Sequence, residues 1–228
     1  MTATIQTVED LYGPAGALEA LLNVGRSDSA YTAVVCHPHP PSGGTMHTKV
    51  VYQAMKAFSH FGVPVLRFNF RGTGRSAGVH SGGPGEIEDT RAAIDWLNRT
   101  FQVPILLAGF SFGANIGFQA ACGDSRVKGL VGLGMPLQAG GRSYSYDFLS
   151  GCMAPKLFLT GAADPFAPRA IMESMFAAAP EPKEMHWIDG AEHFFAGIPG
   201  SPQPKLDRLQ MAMRRWLGER YFPGLSAE

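Results

Sequence analysis

Short apolar runs and amphipathic stretches alternate along most of this chain. Apolar runs of strand length fall at residues 5–9, 17–24, 33–36, 63–70, 105–108, 127–133, 156–160 and 183–188. Helix-spaced apolar residues fall at 49–61, 86–101, 113–122, 168–178 and 206–217. From residue 33 onward strand and helix alternate, which predicts an α/β protein with a largely parallel sheet and helices on both faces.

The stretch Gly109-Phe110-Ser111-Phe112-Gly113 lies between a predicted strand and a predicted helix. G-x-S-x-G in that setting is the pattern of a nucleophile elbow. Ser111 has to occupy the tip of a sharp, strained turn, and the glycines two residues away leave room for strand and helix to approach. The motif also arises by chance in a chain with 28 glycines, so it needs support from other loops.

That support comes from residues that follow other strands, because ligands of an open parallel sheet bind beyond the carboxyl ends of its strands. Ser111, Asp164 and His193 occur in this order, each just past a predicted strand. We predict His193 as the general base and Asp164 as the residue that orients it. The alternatives are an ordinary loop histidine and a turn-forming Asp before proline, while Asp189 and Glu192 lie too near His193 in sequence to orient it.

An oxyanion hole needs two backbone N–H groups close to the developing charge. Phe112, the residue after the nucleophile, supplies one. The loop after the third strand is the expected source of the other, and His39 is its best-placed donor because the residues on either side are prolines, which lack an N–H. Gly43 and Gly44 remain alternative donors if this loop folds back.

Apolar side chains near these loops are candidates for the wall of an acyl pocket, and simple core packing is the competing interpretation. The predicted pocket residues are Met46, Phe110, Phe166 and Phe194, with Phe112 and Phe195 as further candidates. Residues 135–153 form the longest irregular segment, long enough for a flap but too short for a lid domain. The absence of a lid favours short or medium acyl chains over long lipids.

Composition narrows the class of protein and its partners. The chain has 228 residues, of which 45% are hydrophobic and 17% charged, and this predicts a single globular domain over residues 1–228. Nineteen basic and nineteen acidic side chains cancel without a basic stripe, so neither nucleic acid nor membrane is expected as a partner. The partner expected from the predicted triad is a small-molecule ester substrate. The sequence leaves the oligomeric state open, a homodimer included.

Cysteine usage and the first residues bear on the compartment. Cys36, Cys122 and Cys152 are odd in number and widely spaced, which predicts free buried thiols in a reducing environment. The first ten residues lack a basic start and a long apolar stretch, so no signal peptide is predicted. The longest uncharged apolar stretch, 103–118, is too short to span a bilayer. We therefore expect a soluble cytoplasmic protein.

Two further motifs resemble parts of a metal site and of a dinucleotide-binding site, but the residues that would complete those sites are missing. His37-x-His39 has the spacing of a shared metal site, yet no further His or Asp cluster accompanies it, so no metal site is predicted. Gly72-x-Gly74 resembles part of a dinucleotide fingerprint, but its third glycine is displaced. We expect Arg71 and Arg75 to hold that loop by hydrogen bonds.

Taken together, the segments 36–40, 43–46, 68–76 and 109–113 resemble small, lidless bacterial serine hydrolases of the α/β-hydrolase superfamily, which are related to dienelactone hydrolases. The resemblance implies an α/β-hydrolase fold: an eight-stranded, mostly parallel sheet with strand two antiparallel. It also implies a Ser111-Asp164-His193 triad and ester hydrolysis without a cofactor. Dienelactone hydrolases use a cysteine nucleophile, so Ser111 favours an ordinary ester.

The predicted function is a serine hydrolase that cleaves carboxylic esters of short or medium acyl chains through an acyl-enzyme. A thioesterase, peptidase or acyltransferase with the same triad is the first alternative, because the triad does not select the leaving group. A non-catalytic sensor of small ligands is the second, although a sensor needs no nucleophile, base and acid. A nucleotide-binding protein is disfavoured because the chain has no phosphate loop.

Overall fold

Eight strands form one sheet at the centre of the molecule, and the computed structural model describes residues 4–225. The strands are β1 (Ile5–Val8), β2 (Ala20–Asn23), β3 (Thr32–Cys36), β4 (Val65–Phe68), β5 (Ile105–Phe110), β6 (Val127–Leu133), β7 (Lys156–Gly161) and β8 (Lys183–Ile188). The helices are α1 (Lys49–His60), α2 (Pro84–Phe101), α3 (Phe112–Ala121), α4 (Arg169–Ala178) and α5 (Leu206–Tyr221). The predicted elements are therefore all present, with small changes at their ends.

The strands lie in the order β1-β2-β4-β3-β5-β6-β7-β8. Strand β2 runs antiparallel to its neighbours β1 and β4, and the other pairings are parallel. This confirms the mostly parallel eight-stranded sheet. The carboxyl ends of β3 to β8 consequently meet at one edge, with β5 near the centre of that edge.

Helices cover both faces of the sheet, and the side chains of the central parallel strands are buried on both sides. Along β5, Leu107 packs into the core on the side of α2 and α3, whereas Leu106 and Ala108 pack into the core on the side of α1 and α5. Two-sided burial explains why this strand reads as a continuous apolar run rather than an alternating one.

The amino-terminal strands differ from the prediction in extent. Residues 16–17 pair with 12–13 in a short hairpin of their own, so the run predicted as one strand over 17–24 enters the main sheet only at Ala20. The Gly13–Gly16 turn allows the hairpin, because Gly16 adopts φ +117°.

Residues 135–153, which we call the flap, lie beside the carboxyl edge of the sheet. Within the flap, Gln138–Ala139 pair with Arg142–Ser143, and a 3₁₀ turn covers Asp147–Gly151. Its base is held by hydrogen bonds from Leu137 N to Phe166 O at 2.8 Å and from Asn115 Nδ2 to Ser145 O at 2.9 Å. The described chain has a flap here and no lid domain, as predicted.

A disulfide between Cys122 and Cys152 corrects the prediction of three free thiols. Cys122 follows α3 and Cys152 follows the 3₁₀ turn of the flap, and their Cα atoms are 4.9 Å apart, within the range that a disulfide requires. The flap folds back onto α3, and this contact between distant segments leaves no trace in cysteine spacing. Cys36 is free and buried, as expected, and burial raises the pKa of its thiol to about 12.

The bond also removes the cysteine-based argument for a reducing compartment, because that argument assumed three free thiols. The helices of residues 4–225 include none whose length and apolar character would let it cross a membrane.

Candidate active site

Ser111 occupies a sharp turn between β5 and α3, with φ 55° and ψ −122°. Positive φ is strained for a residue with a Cβ, and such strain costs on the order of 1–3 kcal/mol. The flanking glycines make the turn possible: a Cβ on Gly109 would collide with the carbonyl oxygen of Gly113, and a Cβ on Gly113 with that of His37. The backbone of the predicted elbow is therefore present.

Three side chains from the ends of three strands form one hydrogen-bonded chain at the carboxyl edge of the sheet. Ser111 Oγ lies 2.9 Å from His193 Nε2, and His193 Nδ1 lies 2.8 Å from Asp164 Oδ2. All three residues are buried, with exposures of 4–6%. Ser111 follows β5, Asp164 follows β7 and His193 follows β8, which is the arrangement predicted for them.

Asp164 acts both as the partner of His193 and as a turn-forming residue. Its Oδ1 accepts a hydrogen bond from Phe166 N at 2.9 Å, while its Oδ2 faces the imidazole. The rival acid Glu192 plays a different part, because its Oε1 accepts from the N–H groups of Phe194 and Ala196 and so shapes the loop that carries His193.

Three phenylalanine rings surround the imidazole of His193. Their centroids lie 5.1 Å (Phe110), 4.8 Å (Phe166) and 5.3 Å (Phe194) from that of His193. Phe110 is fully buried beneath the ring, whereas Phe194 is 52% exposed at the mouth of the site. The rings pack around the imidazole and contribute to its burial.

The two N–H groups predicted to form the oxyanion hole have no protein acceptor among the described residues. Phe112 is the first residue of α3, where an N–H has no partner inside the helix. In residues 4–225 the N–H of His39 meets no backbone or side-chain acceptor. By contrast, Gly43 N donates to Pro40 O at 2.9 Å and Gly44 N to His39 O at 3.1 Å, so these alternative donors are occupied within the loop.

Buried polar contacts hold the loop that carries His39. His37 Nε2 accepts from Phe70 N at 2.9 Å, and its Nδ1 therefore donates to Pro38 O at 2.7 Å. Asn69 Oδ1 accepts from Met46 N at 2.9 Å. Burial lowers the pKa of His37 to about 4, so its imidazole is neutral at pH 7.

The histidines of the His37-x-His39 motif have separate partners. His39 Nδ1 lies 2.9 Å from Ser42 Oγ, whereas His37 contacts backbone groups. Across residues 4–225, His, Cys, Asp and Glu side chains nowhere gather in a group of three or more that could hold a metal ion.

A cavity of about 360 Å³ opens beside Ser111 and His193. Of the predicted pocket residues, Phe166 and Phe194 line it. Met46 and Phe110 are instead part of the core, with exposures of 1% and 0%. The competing interpretation of core packing holds for both, since the loop turns Met46 inward and Phe110 is the last residue of a strand that is buried on both sides.

The flap contributes four cavity residues that sequence analysis missed, namely Ala139, Gly140, Arg142 and Tyr144. Their only signal in the sequence is their location in the irregular segment 135–153. Arg71 and Arg75, in the loop after β4, do hold that loop as predicted: Arg71 pairs with Asp89 at 2.7 Å and Arg75 with Glu19 at 3.1 Å.

The strand order, with a serine elbow after the central β5, defines the α/β-hydrolase fold. A family model described as "Alpha/beta hydrolase domain" matches residues 32–218. The chain belongs to this family of hydrolases.

Three relatives illustrate the similarity. A serine hydrolase homologue from Coxiella burnetii is 33% identical, with a TM-score of 0.80 over 95% of this chain and 98% of that one. A serine hydrolase without a lid from Xanthomonas campestris is 31% identical, with a TM-score of 0.80 over 98% and 97%. An uncharacterised protein of Rickettsia prowazekii is 35% identical over 80% of this chain and 79% of its own length.

Proposed function

We propose that this chain is a serine hydrolase that cleaves carboxylic esters of short or medium acyl chains. The observation that carries the proposal is the hydrogen-bonded chain from Ser111 Oγ through His193 to Asp164, at 2.9 and 2.8 Å. A hydroxyl, an imidazole and a carboxylate in this sequence of contacts form an activated nucleophile.

In the first half-reaction Ser111 Oγ attacks the ester carbonyl carbon while His193 Nε2 takes the hydroxyl proton. The carbonyl oxygen becomes an oxyanion, which the free N–H groups of Phe112 and His39 stabilise. A single donor of this kind is typically worth about 2.7–4 kcal/mol of transition-state stabilisation. Asp164 stabilises the imidazolium that forms.

Collapse of the tetrahedral intermediate breaks the ester C–O bond, and His193 gives its proton to the departing alcohol. Water then attacks the acyl group on Ser111, with His193 again taking a proton. The second intermediate collapses to a free acid and regenerates the hydroxyl of Ser111.

The size of the cavity supports the range of acyl chains. At about 360 Å³ it falls at the small end of ligand pockets, and no lid domain extends it in the described chain. A thioester, amide or second acceptor alcohol would enter the same chemistry, because the three side chains do not select the leaving group.

Turnover of p-nitrophenyl esters of increasing chain length tests the proposal. We expect kcat/KM to be highest for short or medium chains and to fall beyond them. Thioester and anilide analogues of the best acyl group should be slower. Ser111→Ala should reduce kcat by a factor on the order of 10⁴–10⁶.

Ser27→Ala, at an exposed position before β3, is the matched control and should keep wild-type rates. A maximum at long chains would contradict the proposed acyl range. Full activity of Ser111→Ala would contradict the proposed nucleophile.

A further inference from the structure

Arg142 lies in the hairpin of the flap and lines the same cavity as Ser111 and His193. It is half-buried. The preceding Gly140 has no side chain, and a Cβ there would lie only 3.1 Å from Arg142 Nη2. The guanidinium therefore rests against the bare backbone of the turn, beside the cavity.

This guanidinium has no acidic partner in the part of the chain that the structure describes. Its polar contact is from Nε to the hydroxyl oxygen of Tyr144 at 3.4 Å. Several other arginines do pair with a carboxylate, such as Arg71 with Asp89 and Arg126 with Asp124. The residues that line the cavity include no Asp or Glu, and Arg142 is their one lysine or arginine.

The positive charge of Arg142 affects the pKa of a neighbouring residue of the candidate site. The pKa of His39 is lowered to about 4, first by burial and then by the charge of Arg142. His39, whose backbone N–H is one of the two proposed oxyanion donors, lines the same cavity as Arg142 and Ser111.

The half-buried guanidinium of Arg142 has lost part of its hydration and has gained only the neutral hydroxyl of Tyr144 in return. A carboxylate compensates for the lost hydration, because it accepts two parallel hydrogen bonds from the planar guanidinium. Its single negative charge also matches the single positive charge of the cavity, whereas a phosphate monoester would bring about −1.5 to −2.

We propose that Arg142 binds a carboxylate of the substrate, so that the enzyme prefers esters that carry a free carboxylate. This inference rests on the proposed ester hydrolysis and names the substrate class for it. Arg142 and Tyr144 also line a neighbouring groove between the flap and the start of α2, so the guanidinium lies at the boundary between the two spaces.

Paired substrates test the inference. In one series, monomethyl esters of succinic to suberic acid are compared with methyl esters of monocarboxylic acids of equal length. In the other, acetate esters of hydroxy acids are compared with acetates of alcohols of equal length. The first series places the carboxylate on the acyl group and the second on the leaving group. The readout is the ratio of kcat/KM for the charged ester to that for the neutral ester.

In Arg142→Ala we expect this ratio to fall about ten- to a hundredfold in one of the two series, which corresponds to the loss of a charged hydrogen-bonded pair. Arg142→Lys keeps the positive charge but loses the planar fork, so its ratio should lie between those of the wild type and Arg142→Ala. Arg99→Ala, at an exposed arginine on α2, is the control and should leave both ratios unchanged. Unchanged ratios in both series for Arg142→Ala would overturn the inference and leave the proposed ester hydrolysis intact.

Binding of adipate to the unmodified enzyme, measured by calorimetry, separates the two proposals. Weakening of this binding by Arg142→Ala supports the subsite even if no ester is turned over. Equal binding to both proteins would contradict it.

Discussion

His37 and His193 are both buried histidines, and both follow strands that end at the same edge of the sheet. Each has both ring nitrogens in hydrogen bonds. His37 is bonded to backbone groups, the N–H of Phe70 and the carbonyl of Pro38, whereas His193 is bonded to the side chains of Ser111 and Asp164. They differ in the chemistry of their partners.

That difference separates a structural histidine from a candidate base. The N–H of Phe70 fixes His37 Nε2 as an acceptor, so its proton stays on Nδ1 and neither nitrogen can receive another without breaking a bond. His193 lies between a carboxylate and a hydroxyl, whose proton can move to Nε2 while Asp164 stabilises the resulting charge. Burial and complete hydrogen bonding therefore do not distinguish a catalytic base from a structural histidine. The chemical nature of the hydrogen-bond partners does.

The largest expected effect is a loss of turnover when the partner of His193 is changed. Asp164→Asn keeps the shape of the side chain but removes the charge that orients and stabilises the imidazole. We expect kcat to fall by a factor on the order of 10⁴, with a urea unfolding midpoint close to that of the wild type. Wild-type turnover of this variant would show that another acid serves His193.

A smaller effect, on stability rather than rate, is expected for His37. In His37→Ala the buried N–H of Phe70 loses its acceptor, which costs about 1–3 kcal/mol of unfolding free energy. Urea denaturation measures this loss. His37→Gln retains a side-chain acceptor and should recover part of it. If His37→Ala instead abolished turnover at unchanged stability, the assignment of His37 as structural would be wrong.

A further effect on stability is its expected dependence on pH. Burial lowers the pKa of His37 to about 4, below its ordinary value of 6.5, so the unfolded chain binds a proton more readily than the folded one. The stability is complete above about pH 6.5 and is lost progressively as the pH falls toward 4. Urea midpoints between these limits should decline less steeply in His37→Gln. An equal decline in both proteins would mean that His37 is not a source of the dependence.

The sequence was sufficient to predict the sheet, the elbow and the convergence of Ser111, Asp164 and His193 at one edge of the sheet. These features depend on local patterns, namely apolar runs of strand length, glycines around a sharp turn and polar residues just after strands. Because the carboxyl ends of parallel strands meet at one edge, local position also predicts which of these residues converge.

Other features depend on contacts between distant segments and could not be predicted. The Cys122–Cys152 bond forms because the flap folds onto α3, and nothing in the spacing of the cysteines indicates this. The burial of Met46 and the access of Arg142 to the cavity likewise follow from the path of irregular loops. Loop paths are set by tertiary packing rather than by local propensity.

The rate at which a fluorophosphonate probe labels Ser111 tests the central claim most directly, because labelling needs an activated hydroxyl but no particular ester. Mass spectrometry of the wild type, His37→Gln, His193→Gln and Ser111→Ala would follow the adduct. We expect rapid labelling at Ser111 in the wild type and in His37→Gln, labelling slowed by orders of magnitude in His193→Gln, and none in Ser111→Ala. Labelling of His193→Gln at the wild-type rate would contradict the claim that His193 activates Ser111.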